Sequence, residues 1–108
     1  MPLSKRARIE IYIPSGAAYG RLQTVFEREL VYTCGGCTVV SGTKGLYLGS
    51  DGSRETDSIN LIYADTPFDL EANAETVAQY ADSLRSVALA ATSEESILVV
   101  VHEIFHSV

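Results

Sequence analysis

A chain of 108 residues has the length of one domain, so we expect residues 1–108 to fold as a single unit, and a 46% hydrophobic content suffices for its core. The 20% of charged residues is ordinary and excludes a disordered chain, while a formal net charge of −6 disfavours nucleic-acid binding because an acidic surface repels phosphates. No apolar run approaches the ~18 residues of a membrane-spanning helix, and Met1 to Arg8 lacks the apolar segment of a signal peptide, so we expect a cytoplasmic protein without a membrane partner.

The first predicted element is a strand. Polar and apolar residues alternate from Arg8 to Ile13, and this period of two predicts a strand with one buried face. The buried side chains are those of Ile9, Ile11 and Ile13. The basic residues Lys5, Arg6 and Arg8 predict a solvated arm that leads into the strand.

A helix comes next in the chain. Ala18 to Tyr32 has helical spacing. Its predicted apolar stripe comprises Leu22, Val25, Phe26 and Leu30. Gly35-Gly36 can adopt left-handed backbone angles, so we expect the helix to stop there.

The middle of the chain predicts a β-hairpin. Cys37 to Leu48 is typical of a strand that is interrupted at Gly42 by a bulge or a sharp bend. Residues 49–53 carry turn chemistry around an Asp-Gly pair. Ser58 to Ala64 predicts the third strand. Ile59, Leu61 and Tyr63 share one face of that strand.

The last third predicts a helix and a strand. Asp65-Thr66-Pro67 breaks the third strand, and Leu70 to Ala91 has helical spacing. The predicted apolar stripe of this helix comprises Ala74, Val77, Ala78, Ala81, Leu84 and Ala88. Thr92 to Glu95 predicts a loop, and the β-branched run from Ser96 to His106 predicts a central or well-covered strand.

The order strand, helix, strand, strand, helix, strand predicts an α+β fold of the ferredoxin-like βαββαβ kind. Its two crossovers would place both helices on one face of a four-stranded antiparallel sheet. The other face would lack a cover within the chain, although alternate residues on both faces are apolar. We therefore expect self-association through the sheet, as a homodimer or a homotrimer.

The string from His102 to His106 matches the H-E-x-x-H motif of zinc peptidases, which requires a helix so that both histidines meet one ion. Here the string continues a strand pattern. On a strand the two histidines would lie ~13 Å apart at 3.3 Å per residue, too far for bonds of ~2 Å to one zinc ion. The sequence thus predicts no metal site and no cofactor.

Cys34 and Cys37 form a C-x-x-C pair that follows a helix and precedes a strand. Activated redox pairs lie at a helix N-terminus, where the dipole lowers the thiol pKa, so the dipole here has the opposite sign. Two interpretations stay open. The glycines stop the helix between two half-buried thiols, or the thiols form a labile disulfide.

Ligand-binding candidates come from tyrosines on the strands, from His102 and from the Gly42–Gly45 bend. Tyrosine combines an apolar ring with a polar tip and suits pockets and interfaces alike. The bend either is a bulge with an exposed lysine or binds an anion through backbone amides and Lys44. The candidate ligand-binding residues are Tyr12, Lys44, Tyr47, Tyr63 and His102.

The element order and length resemble the ferredoxin-like superfamily, including PII-like and CutA-like trimers and dimeric α+β-barrel proteins. The segment from Gly36 to Tyr47, followed by Asp51-Gly52 and a strand, is similar to a recurrent segment of this group. The connection from Gly49 to Asp57 is too short for the long signalling loop of PII proteins. No histidine or asparagine can be assigned to the barrel site of the oxygenase relatives.

These departures keep the relatives' specific activities from being transferred to this chain. The sequence therefore favours a homo-oligomeric protein with a small-ligand-binding or regulatory role, and no catalytic set can be assigned. One alternative is a small cofactor-free enzyme with Tyr12, Tyr63 and His102 in a pocket at the sheet or subunit boundary. The other is a structural or interaction module.

Overall fold

A four-stranded antiparallel sheet with two helices on one face forms the framework, as the sequence predicts. The computed structural model describes residues 3–91 and 97–107. In chain order the elements are β1 (Leu3–Pro14), a short 3₁₀ turn (Ala17–Tyr19), α1 (Gly20–Cys34), β2 (Thr38–Leu48), β3 (Arg54–Asp65), α2 (Ala74–Ala91) and β4 (Leu98–Ser107). The predicted loop from Thr92 to Glu95, together with Ser96, lies outside the described residues.

The strand order is β2-β3-β1-β4, and every neighbouring pair is antiparallel. This order places the two edges on β2 and β4 and confirms the ferredoxin-like arrangement. The prediction that the last strand is central or well covered was wrong, since β4 is an edge strand on which Leu98 and Phe105 are 57% and 55% exposed. No helix in the described part of the chain is long and apolar enough to cross a membrane.

The core lies between the sheet and the helices. The predicted isoleucine face of β1 is confirmed, since Ile9, Ile11 and Ile13 are fully buried. On β3, Ile62 and Ala64 are the residues that face the core. Ile59, Leu61 and Tyr63, which the sequence placed on one face of this strand, share the opposite face. The helices complete the core with Leu22, Phe26 and Leu30 of α1 and Leu84 and Ala88 of α2.

Both helical stripes are narrower than predicted. Val25 is 47% exposed because it borders a groove between the helices, and Ala74 and Ala78 are exposed. The second helix also begins at Ala74 rather than at Leu70. Asp69 caps a helical turn just before α2, because its carboxylate accepts hydrogen bonds from the Glu71 and Ala72 amides and its carbonyl accepts one from the Asn73 amide at 3.0 Å.

The prediction that the basic residues before the first strand form a solvated arm was wrong. β1 begins at Leu3, and its first residues pair with the end of β4. Lys5 lies over the ring of Phe105 at 5.7 Å from its centroid, and Arg8 is half-buried in an ion pair. The end of β4, from His102 to Phe105, offers backbone partners to these residues, and strand pairing outweighs their charge.

The strands are staggered, so two-stranded arms extend from both ends of the sheet. At one end Lys44–Leu48 pairs with Arg54–Ser58 beyond the last β1 partner, Pro14. At the other end the start of β1 pairs with the end of β4 alone. The predicted bulge is confirmed, because the β2–β3 register shifts by one residue between Val40 and Thr43, with Gly42 at a φ of 71°.

Candidate functional site

The candidate site is the sheet face opposite the helices, which we call the open face. Residues paired across antiparallel strands project to the same side. Tyr12 therefore shares the open face with its partners Leu61 and Leu98, and Glu10 shares it with Tyr63 and Val100. The apolar part of this face comprises Val40, Ile59, Leu61, Leu98, Val100 and Ile104.

Polar side chains form a row along β1 on the open face, which we call the polar row; it comprises Arg8, Glu10 and Tyr12 of β1 with Asp65 and His102 of the neighbouring strands. The charged pair of Arg8 and Asp65 lies at one end of this row. Arg8 Nε donates to Asp65 Oδ1 at 2.6 Å, and its Nη2 donates to Oδ2 at 3.2 Å. The guanidinium also lies 4.6 Å from the ring centroid of Tyr63. The hydrogen bond to Asp65 raises the pKa of Arg8. This bidentate, stacked geometry fixes the orientation of both side chains.

Glu10 occupies the centre of the row, between a phenol and an imidazole. The Tyr12 hydroxyl donates to Glu10 Oε1 at 3.4 Å, and burial, followed by the charge of Glu10, raises the Tyr12 pKa. His102 Nε2 lies 3.5 Å from Glu10 Oε2. That nitrogen is inaccessible to solvent and makes no hydrogen bond within the described structure. A protonated His102 would form an ion pair with Glu10.

The structure brings some of the predicted ligand-binding residues together. Tyr12, Tyr63 and His102 lie on the open face around Glu10. Lys44 and Tyr47 lie on the projecting β2–β3 arm, where they pair with Ser58 and Glu55. The Lys44 side chain is exposed, and the arm separates both positions from the polar row.

Cys34 and Cys37 line a polar pocket of about 400 Å³ that lies just before the start of β2. Tyr63, Ala64 and Asp65 line its sheet side. Both cysteines are free thiols. Burial, followed by nearby glutamates, raises the pKa of both thiols, which is opposite to the shift that activates a redox thiol.

The H-E-x-x-H string lies on β4, where His102 pairs with Arg8 and His106 pairs with Ser4. The predicted strand is confirmed, so the string lacks the helix on which the zinc-peptidase geometry depends. Across the residues that the structure describes, no three histidine, cysteine or acidic side chains form a group that could hold a metal ion.

Sequence reasoning missed Glu10 and the Arg8–Asp65 pair as parts of the site. Alternation along β1 already placed Arg8 and Glu10 opposite the isoleucines, so the signal was present. The position of Asp65 depends on the β1–β3 register, which the sequence does not reveal.

This chain has a ferredoxin-like fold. It is similar to the crystal structure of CutA1 from Oryza sativa, with a TM-score of 0.62, 19% identity, and coverage of 93% of this chain and 80% of that one. It is also similar to CPII, a nitrogen regulatory PII-like protein from Thiomonas intermedia K12 bound to ADP, AMP and bicarbonate. There the TM-score is 0.55 and the identity 21%, with coverage of 99% and 100%. No family model and no curated protein matches the sequence.

Proposed function

We propose that this chain is a cytoplasmic, homo-oligomeric regulatory protein that assembles through its open face and binds a small ligand there. The observation that carries this proposal is a broad apolar surface without a cover in the described chain. Leu98 is 57% exposed on the β4 edge of this surface, and Val40 is 38% exposed on its β2 edge. A contiguous apolar patch of this kind marks an interaction surface. A second copy is the economical cover, in a dimer or a trimer.

The projecting arms support the same assembly. Leu46 and Leu48 are exposed on the β2–β3 arm, and a two-stranded arm is marginally stable by itself. Contact with a neighbouring copy would bury these leucines and stabilise the arm. The staggered ends leave unpaired edges on β2 and β4 for such contacts.

The polar row supports a ligand site at the boundary between copies. Glu10 is partly buried, and a carboxylate removed from water is costly unless it is paired; the Tyr12 hydroxyl and the His102 imidazole lie within its reach. These groups, with Tyr63, offer donors and aromatic surface to a small molecule. Lys44 and Tyr47 would contribute if the arm of a neighbouring copy approached the row.

Sedimentation velocity at micromolar concentration tests the assembly. We expect one species with the mass of a dimer or a trimer. A monomer at these concentrations would contradict the assembly, whatever the result of the ligand test.

A thermal-shift screen tests the ligand, because a molecule that binds only the folded state raises the unfolding midpoint. The first probes are ADP, AMP and bicarbonate, since CPII is bound to them, followed by metal ions and metabolites. We expect one probe to raise the midpoint, less so in Tyr63→Phe. The matched control is Tyr32→Phe, because Tyr32 is 90% exposed on α1. No shift with any probe would contradict ligand binding, and turnover of a binding probe would favour the enzyme.

A further inference from the structure

A groove separates α1 from α2 on the helical side of the sheet, and we call it the interhelical groove. The helices run antiparallel, since Glu29 near the end of α1 meets Tyr80 near the start of α2, whereas Ala18, just before α1, lines the same cavity as Ala91 at the end of α2. Phe26 and Leu84 form its buried floor. Val25 and Val87 form its walls, 47% and 48% exposed. Its volume of about 390 Å³ lies in the usual range for small-molecule sites.

The groove continues past these valines into a second depression of about 230 Å³. Val25 and Val87 line both cavities. The second one ends at Ala18, Arg21 and Ala91. The two cavities therefore form one elongated apolar channel along the helices.

The two ends of the interhelical groove differ in charge. At the end of the groove near Tyr80, the carboxylate of Glu29 accepts hydrogen bonds from the Tyr80 and Thr33 hydroxyls, both at 2.9 Å. Burial raises the pKa of Tyr80 to about 12, so the phenol stays a donor at neutral pH. At the other end lies the guanidinium of Arg21. Arg28 lines the same cavity as Glu29 and offsets its charge, whereas no acidic residue among those described lines the Arg21 end, so a negative ligand group is attracted to that end.

Both arginines of this groove lack a counter-ion within the described structure. Arg21, Val25 and Arg28 lie on one stripe of α1, at spacings of four and three residues. Neither Arg21 nor Arg28 makes an ion pair with a described residue. In a chain of net charge −6, two unpaired cations beside an apolar channel favour an anionic occupant.

We propose that the interhelical groove binds an amphipathic monoanion with an unbranched apolar body, a fatty-acid-like carboxylate. Its carboxylate would bind Arg21, and its chain would run along Val25 and Val87 towards Tyr80. The groove lies on the helical side, so this site is independent of assembly through the open face.

Isothermal titration with dodecanoate below its micelle concentration tests the proposal. We expect saturable binding with one site per chain. Dodecyltrimethylammonium has the same chain length and the opposite charge, and it should bind at least about fivefold more weakly, the effect of one exposed ion pair. Absence of saturable dodecanoate binding, or equal binding of both amphiphiles, would overturn the proposal.

Variants locate the binding site. Val87→Gln should weaken dodecanoate binding about tenfold, because it places an amide in the apolar channel. Val31→Gln is the matched control, since Val31 is 51% exposed on α1 outside the groove. Arg21→Gln should weaken binding about fivefold, and Arg85→Gln, an exposed α2 control paired with Asp82, should leave it unchanged.

Circular dichroism of each variant confirms that it folds before binding is measured. If dodecanoate binding survived Val87→Gln but was lost in Leu98→Gln, the ligand would lie on the open face and the groove proposal would be wrong.

Discussion

Thr66 shows how one buried hydroxyl joins three segments of the fold. It is 1% exposed and directly follows β3. Its hydroxyl donates to the carbonyl of Ala7 at 2.9 Å and accepts a hydrogen bond from the amide of Phe68 at 3.2 Å. The Thr66 amide also donates to Ala7 at 2.8 Å. The threonine thereby anchors the chain against β1 where it leaves the sheet.

Thr66→Val should destabilise the protein by about 2 kcal/mol, because the isosteric methyl leaves the Phe68 amide without its acceptor. Urea unfolding measures the change. The control is Thr24→Val, which removes an exposed hydroxyl bonded to Gly20 within α1 and should change stability by less than about 0.5 kcal/mol. If the two variants lost the same free energy of unfolding, the buried Thr66 hydroxyl would contribute no more than the exposed Thr24 hydroxyl.

The two cysteines should behave as unreactive thiols in the folded protein. Their raised pKa values lower the thiolate fraction at pH 8, and the thiolate is the reacting species. Iodoacetamide should therefore alkylate the folded protein more slowly than the same protein in urea. Faster alkylation of the folded protein would favour the redox interpretation, as would loss of free thiols in air.

The raised pKa values of the two thiols also predict how the stability of the protein depends on pH. A thiol whose pKa is higher in the folded state contributes its full stability below the unfolded value of about 8.5. That contribution is lost as the pH rises through the folded value. Urea midpoints should thus fall between neutral and alkaline pH, and less so in a Cys34→Ser, Cys37→Ser double variant.

At the scale of elements, the adjacent glycines after α1 have different roles. Gly35 caps the helix with a φ of 87°, and its amide donates to the carbonyl of Val31 at 2.9 Å. Gly36 has no positive φ. A Cβ would meet no atom within 4 Å at either position, so only backbone conformation distinguishes the two sites.

Gly35→Ala should therefore destabilise the protein by about 1 kcal/mol, the cost of a left-handed conformation for a side chain with a Cβ. Gly36→Ala is the matched control and should be neutral or slightly stabilising, because alanine restricts the unfolded chain. Thermal unfolding of both variants checks the difference. Equal losses at the two positions would contradict the assigned cap.

The elements could be predicted from the sequence where a local pattern dictates the structure. The isoleucine alternation of β1, the glycine stop of α1 and the bulge at Gly42 are local signals, and the structure confirms them. The start of α2 was predicted one turn early, because periodicity does not separate the turn that Asp69 caps from the continuous helix that begins at Ala74.

Long-range features of the site depended on register. The Arg8–Asp65 pair joins residues 57 positions apart, so no local pattern indicates it. The interhelical groove likewise arises because Val25 and Val87 face each other without closing the gap. Helical periodicity assigned Val25 to the core, since the pattern identifies a stripe and not the width of the space between helices.

At the scale of the whole molecule, the open face and the outer surface of α1 offer a matched pair of exposed apolar residues. Leu98 is 57% exposed on the open face, and Val31 is 51% exposed on α1. A glutamate at either position faces solvent in a monomer. Each substitution should therefore change monomer stability by less than about 0.5 kcal/mol.

Leu98→Glu should dissociate the proposed oligomer, raising its dissociation constant about 100-fold, because assembly would bury a carboxylate beside Tyr12, whose hydroxyl already donates to Glu10. Val31→Glu should leave the mass unchanged. Sedimentation of both variants across a concentration series measures the effect, with circular dichroism confirming their fold. If Val31→Glu dissociated the oligomer and Leu98→Glu did not, copies would meet through the helical surface, and the open face would need a different partner to cover its apolar residues.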